Sequence, residues 1–182
     1  MPHNKMGKKA QIWVETVIYT VIGLAIIGML LAVASPTIAK YKDKVVIEQT
    51  IDILNKLNDE IISIRDEGLG NKWPIKVSIK KGSLTIEGSN DYIIYVLDET
   101  REEYSEPGVK IPGDVKILTQ KKGSKTYSIT LSLEYDDIDL TYNGKQENKT
   151  FTHSPTAYQL FIENNGTSKS DPTKTQIELS AS

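Results

Sequence analysis

No cysteine occurs in the 182 residues, which excludes disulfide staples, thiolate zinc sites and cysteine nucleophiles. Histidine is nearly as scarce: His3 and His153 are the only two and stand far apart in the chain, so no metal-spaced pair and no Ser-His-Asp set is at hand. Basic excess is missing too. The chain has 22 Lys and Arg against 24 Asp and Glu, a net charge of -2, whereas nucleic-acid binding needs a dense basic face to displace condensed counterions. No glycine-rich phosphate loop is present. These absences argue against an enzyme, a nucleic-acid binder, a cofactor or metal site, and a small-molecule site.

What the chain does have is concentrated at its start. The mean hydropathy of -0.33 averages over a strong asymmetry, because Thr16 to Ala39 run for 24 residues without a charge. At about 1.5 Å per residue such a helix crosses a hydrocarbon core of roughly 30 Å. Lys5, Lys8 and Lys9 precede it with no acid among them, so the head of the chain is expected in the cytoplasm and the remainder outside. A cleaved secretory signal has an apolar core of roughly 7 to 15 residues. The longer run here favours a retained helix, despite the small residues at Ala34-Ser35.

One carboxylate interrupts the pattern. Glu15 opens the apolar segment just after Ile12-Trp13-Val14, and an acid within a membrane helix costs about 2.5 to 3.5 kcal/mol at the centre, less toward the interface. A headgroup-wetted interfacial acid is the simple reading.

The run Lys8-Lys9-Ala10-Gln11-Ile12-Trp13-Val14-Glu15 resembles the class III signal peptide of archaeal type IV pilins and archaellins. The resemblance implies cleavage by a prepilin peptidase between Ala10 and Gln11, with Glu15 as the fifth mature residue. Ala10 stands where glycine is common, and Trp13 where many archaellins have serine, so the match is to pilins more than to archaellins proper. It extends in pattern over about residues 1 to 65. It further implies a new ammonium at Gln11 that Glu15 of a neighbouring subunit neutralises in a water-poor bundle.

Downstream, Pro36 is expected to kink the helix without ending it. Ile47, Ile51, Leu54, Leu57, Ile61 and Ile62 then recur at helical spacing, with Val46, Ile53 and Ile64 beside them and Glu48, Asp52, Asn55, Lys56 and Asp59 opposite. That is an amphipathic helix whose apolar arc is wide enough for a head domain and for neighbouring subunits. Arg65, Gly68 and Gly70 predict its end near Asp66.

From Trp73 the period alternates. Residues 75–79 and 84–86 flank Lys80-Lys81-Gly82-Ser83 as an expected hairpin, and Lys121-Lys122-Gly123-Ser124 repeats that tip without similar flanks. Further strands are expected over residues 92–97, 115–119, 127–133, 138–142, 149–152, 158–162 and 176–179. Asn143-Gly144 is the strongest turn signal, and residues 164–174 read as a loop. The expected fold is α+β: a long N-terminal helix followed by an antiparallel, immunoglobulin-like β-sandwich head of about seven to nine strands. Its parts are a leader (1–10), an assembly helix (11–40), an amphipathic continuation (41–68) and the head (69–182).

Glu134, Asp136, Asp137 and Asp139 lack the spacing of a calcium loop and read as a solvated strand edge. His153 reads as a surface residue. Asn148-Lys149-Thr150 and Asn165-Gly166-Thr167 are N-glycosylation sequons, acceptors if the head lies outside the cell.

The resemblance implies a surface-filament subunit polymerised through its N-terminal helix, with a peptidase, an assembly ATPase and a membrane platform protein as partners. It would be membrane-held before assembly and extracellular afterwards. Two readings stand beside it: a single-pass anchored β domain that binds a ligand or surface protein, and a pseudopilin or minor subunit of a secretion or uptake machine.

Overall fold

The structure, a computed structural model, describes residues 6–181, with side chains described from Ile12 onward. It is α+β, as expected. One helix, α1 (Met6–Glu67), precedes the strands β1 (Lys72–Val77), β2 (Ser83–Glu87), β3 (Tyr92–Thr100), β4 (Lys110–Ile111), β5 (Lys116–Lys121), β6 (Tyr127–Glu134), β7 (Ile138–Tyr142), β8 (Asn148–Thr152), β9 (Tyr158–Thr167) and β10 (Thr175–Ala181). The chain divides into two compact units, Met1–Tyr41 and Lys42–Ser182.

In the first unit the described residues are all helical, and α1 passes Pro36 without a break. Proline supplies no N–H, so the carbonyl of Ala32 loses its helical donor. The three threonine hydroxyls in this stretch are satisfied locally: Thr16 donates to Ile12 O at 2.9 Å, Thr20 to Thr16 O at 2.8 Å and Thr37 to Val33 O at 3.3 Å. Folding each threonine hydroxyl back on its own helix reduces the polarity of the outer surface.

In the second unit the helix and the sheets share one core. Ile47, Leu54, Leu57, Ile61 and Ile64 are all at most 1% exposed, at spacings of three, four and seven residues that place them on one face. They belong to the same apolar cluster as Ile93, Tyr95 and Leu97 of β3, Ile129, Leu131 and Leu133 of β6, and Leu160 and Ile162 of β9. Each such side chain contributes about 1.5 to 3 kcal/mol by leaving water. Val46, Ile51 and Ile53 flank the stripe half-buried, while Glu48, Asp52, Lys56 and Asp59 face solvent. The helix ends at Glu67, one residue past the expected stop, with Gly68 and Gly70 at φ 92° and 88°.

Two sheets follow, ordered β1-β9-β10-β7 and β4-β5-β6-β3-β2-β8. The six-stranded sheet is antiparallel throughout, but β10 pairs β7 in parallel in the other, a departure from the all-antiparallel expectation. The chain visits β8 and β9 between these two strands, and that long detour permits the parallel crossover.

The expected hairpin across Lys80–Ser83 does not form. β1 pairs β9 over six residues, and β2 lies between β3 and β8 in the other sheet. Alternation identifies a strand but not its partner, and pairing in separate sheets allows both strands to feed the shared core. The segment between them is a crossover pinned by Tyr95, whose hydroxyl donates to Lys81 O. Gly82 there has φ 79°, and a Cβ on it would lie 2.3 Å from Val96 O, so only glycine fits.

The second lysine tip does cap a hairpin, with Lys121 opposite Tyr127 in the β5–β6 ladder. Asn143 and Gly144 have φ 50° and 74°, and Tyr142 and Lys145 exchange both backbone hydrogen bonds. The turn is therefore real, yet β7 and β8 then enter different sheets and no ladder grows from it. Residues 164–167, expected in a loop, complete β9, and the two-residue β4 was too short to show a period.

Candidate functional site

The candidate site is the N-terminal stretch of α1. Lys8, Lys9, Ala10 and Gln11 lie in its first turns, but their side chains, like residues 1–5, are outside the described residues. Glu15 is exposed on the helix, one turn before Tyr19 and one after Gln11.

Around and beyond Glu15 the surface is apolar on every side. The large apolar residues from Ile12 to Val33 are exposed to between 42% at Val17 and 74% at Val33. Apart from the adjoining residues and the helix's own backbone, nothing among the described residues lies within 4 Å of a Cβ placed on Gly23 or Gly28, so both positions admit close approach by another helix. α1 is long and apolar enough to cross a membrane, and its most apolar window is wholly unburied. A contiguous unburied apolar surface of this size is untypical of a water-soluble monomer and marks a lipid or protein interface.

The two sequons differ in geometry. Asn148 is exposed at the start of β8, an edge strand, on the same face as Thr150 by the two-residue period. The Thr150 hydroxyl meets that of Thr85 at 2.9 Å. Asn165 is half-buried, and its amide donates to the Glu178 carboxylate at 2.9 Å. Asn148 accepts from the Ser89 hydroxyl at 3.5 Å and its amide nitrogen donates to no group among the described residues, whereas that of Asn165 is engaged by the neighbouring strand.

The acidic run 134–139 is not a uniform solvated edge. Asp136 and Asp137 are exposed, but Asp139 is 4% exposed and accepts from Ser168, from Ser170 at 2.9 Å and from Gln146 at 2.9 Å. Burial raises the Asp139 carboxyl pKa, and these donors outweigh it, so the net direction is down. Glu134 is held by Lys110 at 2.5 Å and Lys116 at 2.6 Å. Burial again opposes its charge, yet the two lysines and Ser132 bring it down to about 2. Sequence reading missed the Asp139 role because its donors Ser168 and Ser170 follow some thirty positions later. Among the described residues no three of His, Cys, Asp and Glu gather as a metal site. His153 is exposed, with Nδ1 3.1 Å from Ile79 O.

Two further polar residues, neither singled out by pattern, hold α1 in the second unit. Asp43 continues the spacing of the buried stripe, at 8% exposed, and accepts from Lys81 Nζ at 2.7 Å and from the Arg101 N–H at 2.9 Å. Burial opposes its charge, but Lys81 and Arg101 prevail and its pKa is lowered. Asn164 is 1% exposed and donates to the carbonyls of Ile64 and Arg65 at 2.9 and 3.1 Å. It satisfies orphan acceptors in the last turn from a strand a hundred residues away. The seven-residue spacing from Leu54 through Ile47 reaches Asp43 only after one further four-residue step onto a charged side chain, and neither its partners nor the two carbonyls that Asn164 meets are near in sequence.

No family model, no curated protein and no solved structure matches the chain.

Proposed function

We propose that this protein is a structural subunit of a type IV pilus-like surface filament. In this reading the chain inserts with Lys8 and Lys9 inside, is cut between Ala10 and Gln11, and polymerises through α1. The observation that supports it most is the apolar surface of α1 from Ile12 to Val33, unburied on every side and opened by a single acid, Glu15. Lipid accounts for that surface before assembly, and neighbouring copies of the same helix account for it afterwards. Heterologous contacts between such helices do not close, and so generate a filament.

Glu15 then has a task. Cleavage leaves an α-ammonium on Gln11, and a carboxylate four residues along is placed to neutralise that charge on an adjacent subunit and to set the register. The two sheets, packed as an immunoglobulin-like sandwich with residues 42–67 of α1, form the outer head, which makes the surface contacts of the filament. Peptidase, assembly ATPase and platform protein are partners of this process, and the chain performs no catalysis of its own.

The test is mass spectrometry of the N-terminus in material sheared from intact cells, beside the membrane fraction. A peptide beginning at Gln11 in sheared material is the expected result. An intact leader confined to membranes would overturn the reading in favour of an anchored binding domain. Cleavage without shearing would identify a pseudopilin.

A further inference from the structure

The β5–β6 hairpin is charged oppositely at its two ends. Its closed end holds Lys121, Lys122 and Lys125, all exposed, and none of them forms an ion pair among the described residues. The turn itself is held by the Lys122 and Gly123 N–H groups, both donating to Thr126 O. Three ammoniums are thus carried on a short, firmly closed tip.

The open end borders a cleft of about 390 Å³ whose lining includes Asn58, Asp114, Glu134, Asp136 and Asp137, with Lys116 as its one cation among the described residues. Glu134 is committed to its two lysines, and Asp137 beside it to Arg65. Asp114 and Asp136 are exposed and form no ion pair among the described residues. Tyr135 is 7% exposed, and its hydroxyl is buried without a hydrogen-bond partner. That hydroxyl is sealed in the core of the head and takes no part in the charged face of the cleft.

The cleft therefore offers two exposed carboxylates outside any ion pair, Asp136 of them within the field of Lys116, and the tip offers three exposed ammoniums outside any ion pair. They cannot meet within one chain. The ladder from Lys121 opposite Tyr127 to Lys116 opposite Ser132 separates them by about 17 Å or more at roughly 3.4 Å per residue.

We propose that the lysine tip of one copy docks in the acidic cleft of the next, giving a head-to-tail contact between head domains. The two surfaces differ, so the contact is heterologous and propagates without closing. Opposite charges favour this register, while tip against tip and cleft against cleft repel. The proposal rests on the filament reading for its setting, but the contact can be scored separately.

The absence of native cysteine makes cross-linking direct. Ser124→Cys places a thiol on the tip and Gly113→Cys one at the cleft, and both leave every charge in place. A disulfide needs Cα atoms within about 7 Å, so a bond between these positions must join two chains. The full-length double variant is oxidised in membranes and in sheared filaments.

A ladder of dimers, trimers and higher species is expected from the double variant, with no species above dimer from either single variant. Lys121→Glu with Lys122→Glu and Lys125→Glu should abolish the ladder, and adding Asp114→Lys with Asp136→Lys should restore it. Filaments that begin at Gln11 yet give no ladder would overturn this contact and leave the filament reading intact. A ladder in membranes without filaments would uphold the contact and count against the filament. A ladder indifferent to charge reversal would mean random collision and overturn the proposal.

Discussion

At the residue scale, the polar side chains that matter are those whose partners decide their state. Asn148 and Asn165 both head sequons, but only Asn148 is an exposed residue with its amide nitrogen unengaged among the described residues, since that of Asn165 donates to Glu178. If the head is exposed to an N-glycosylation pathway, glycopeptide mass spectrometry should find Asn148 occupied and Asn165 bare. Equal occupancy would show that modification precedes folding. Glu134 is a second case, with a carboxyl lowered to about 2 against an ordinary value of 4.5. A depressed carboxylate pKa contributes stability that is complete above the unfolded value and is lost as pH falls through the folded one. Glu134→Gln should therefore cost about 1 to 2 kcal/mol at neutral pH, discounted for the half-exposed lysines, and the deficit should shrink between about pH 4.5 and 2. Thermal unfolding of both full-length chains in detergent across that range would show it; a deficit independent of pH would refute it.

At the element scale, α1 and the strands obey different rules of legibility. The helix has a period of its own, so its buried stripe from Ile47 to Ile64 could be read before any partner was known. A strand has a period but borrows its neighbour, and so residues 75–79 and 84–86 were recognisable as strands, close to the observed 72–77 and 83–87, and yet misassigned as a hairpin. The residue that enforces the crossover is Gly82, with positive φ and Val96 O in the place of any Cβ. Gly82→Ala should destabilise the head by about 2 to 4 kcal/mol, from an unfavourable backbone and a forced displacement of β3. A loss under about 0.5 kcal/mol in denaturant unfolding would mean that the crossover relaxes freely.

At the scale of the whole molecule, one helix serves two environments. Its first half has no core to join and exposes an apolar surface; its second half, from Ile47 to Ile64, closes the core of the head. Nothing about helix propensity separates these halves. What separates them is the outward-facing charge of Glu48, Asp52, Lys56 and Asp59, which leaves only one face of the second half to bury. Glu15→Gln retains shape and removes charge, so if pairing with the Gln11 ammonium governs assembly, sheared filament yield should fall at least about tenfold, the equivalent of 1.4 kcal/mol. Insertion and head folding should be unchanged. Normal filament yield from the variant would refute the pairing as an assembly determinant.

The amino-acid order by itself determined the apolar span, the amphipathic continuation and its stop, most strand positions and the Asn143-Gly144 turn. Each of these is set by spacing or by a residue's own backbone preference, which are local quantities. Only the tertiary structure decided which strands pair, that β7 and β10 run parallel, that Asp139 is buried and that Asn164 caps α1. Those outcomes depend on groups brought together from distant positions, where a side chain's burial and hydrogen-bond partners follow from the packing of the whole head. Residue type alone cannot supply them, because an aspartate on a solvated edge and one sealed beneath two serines have the same letter.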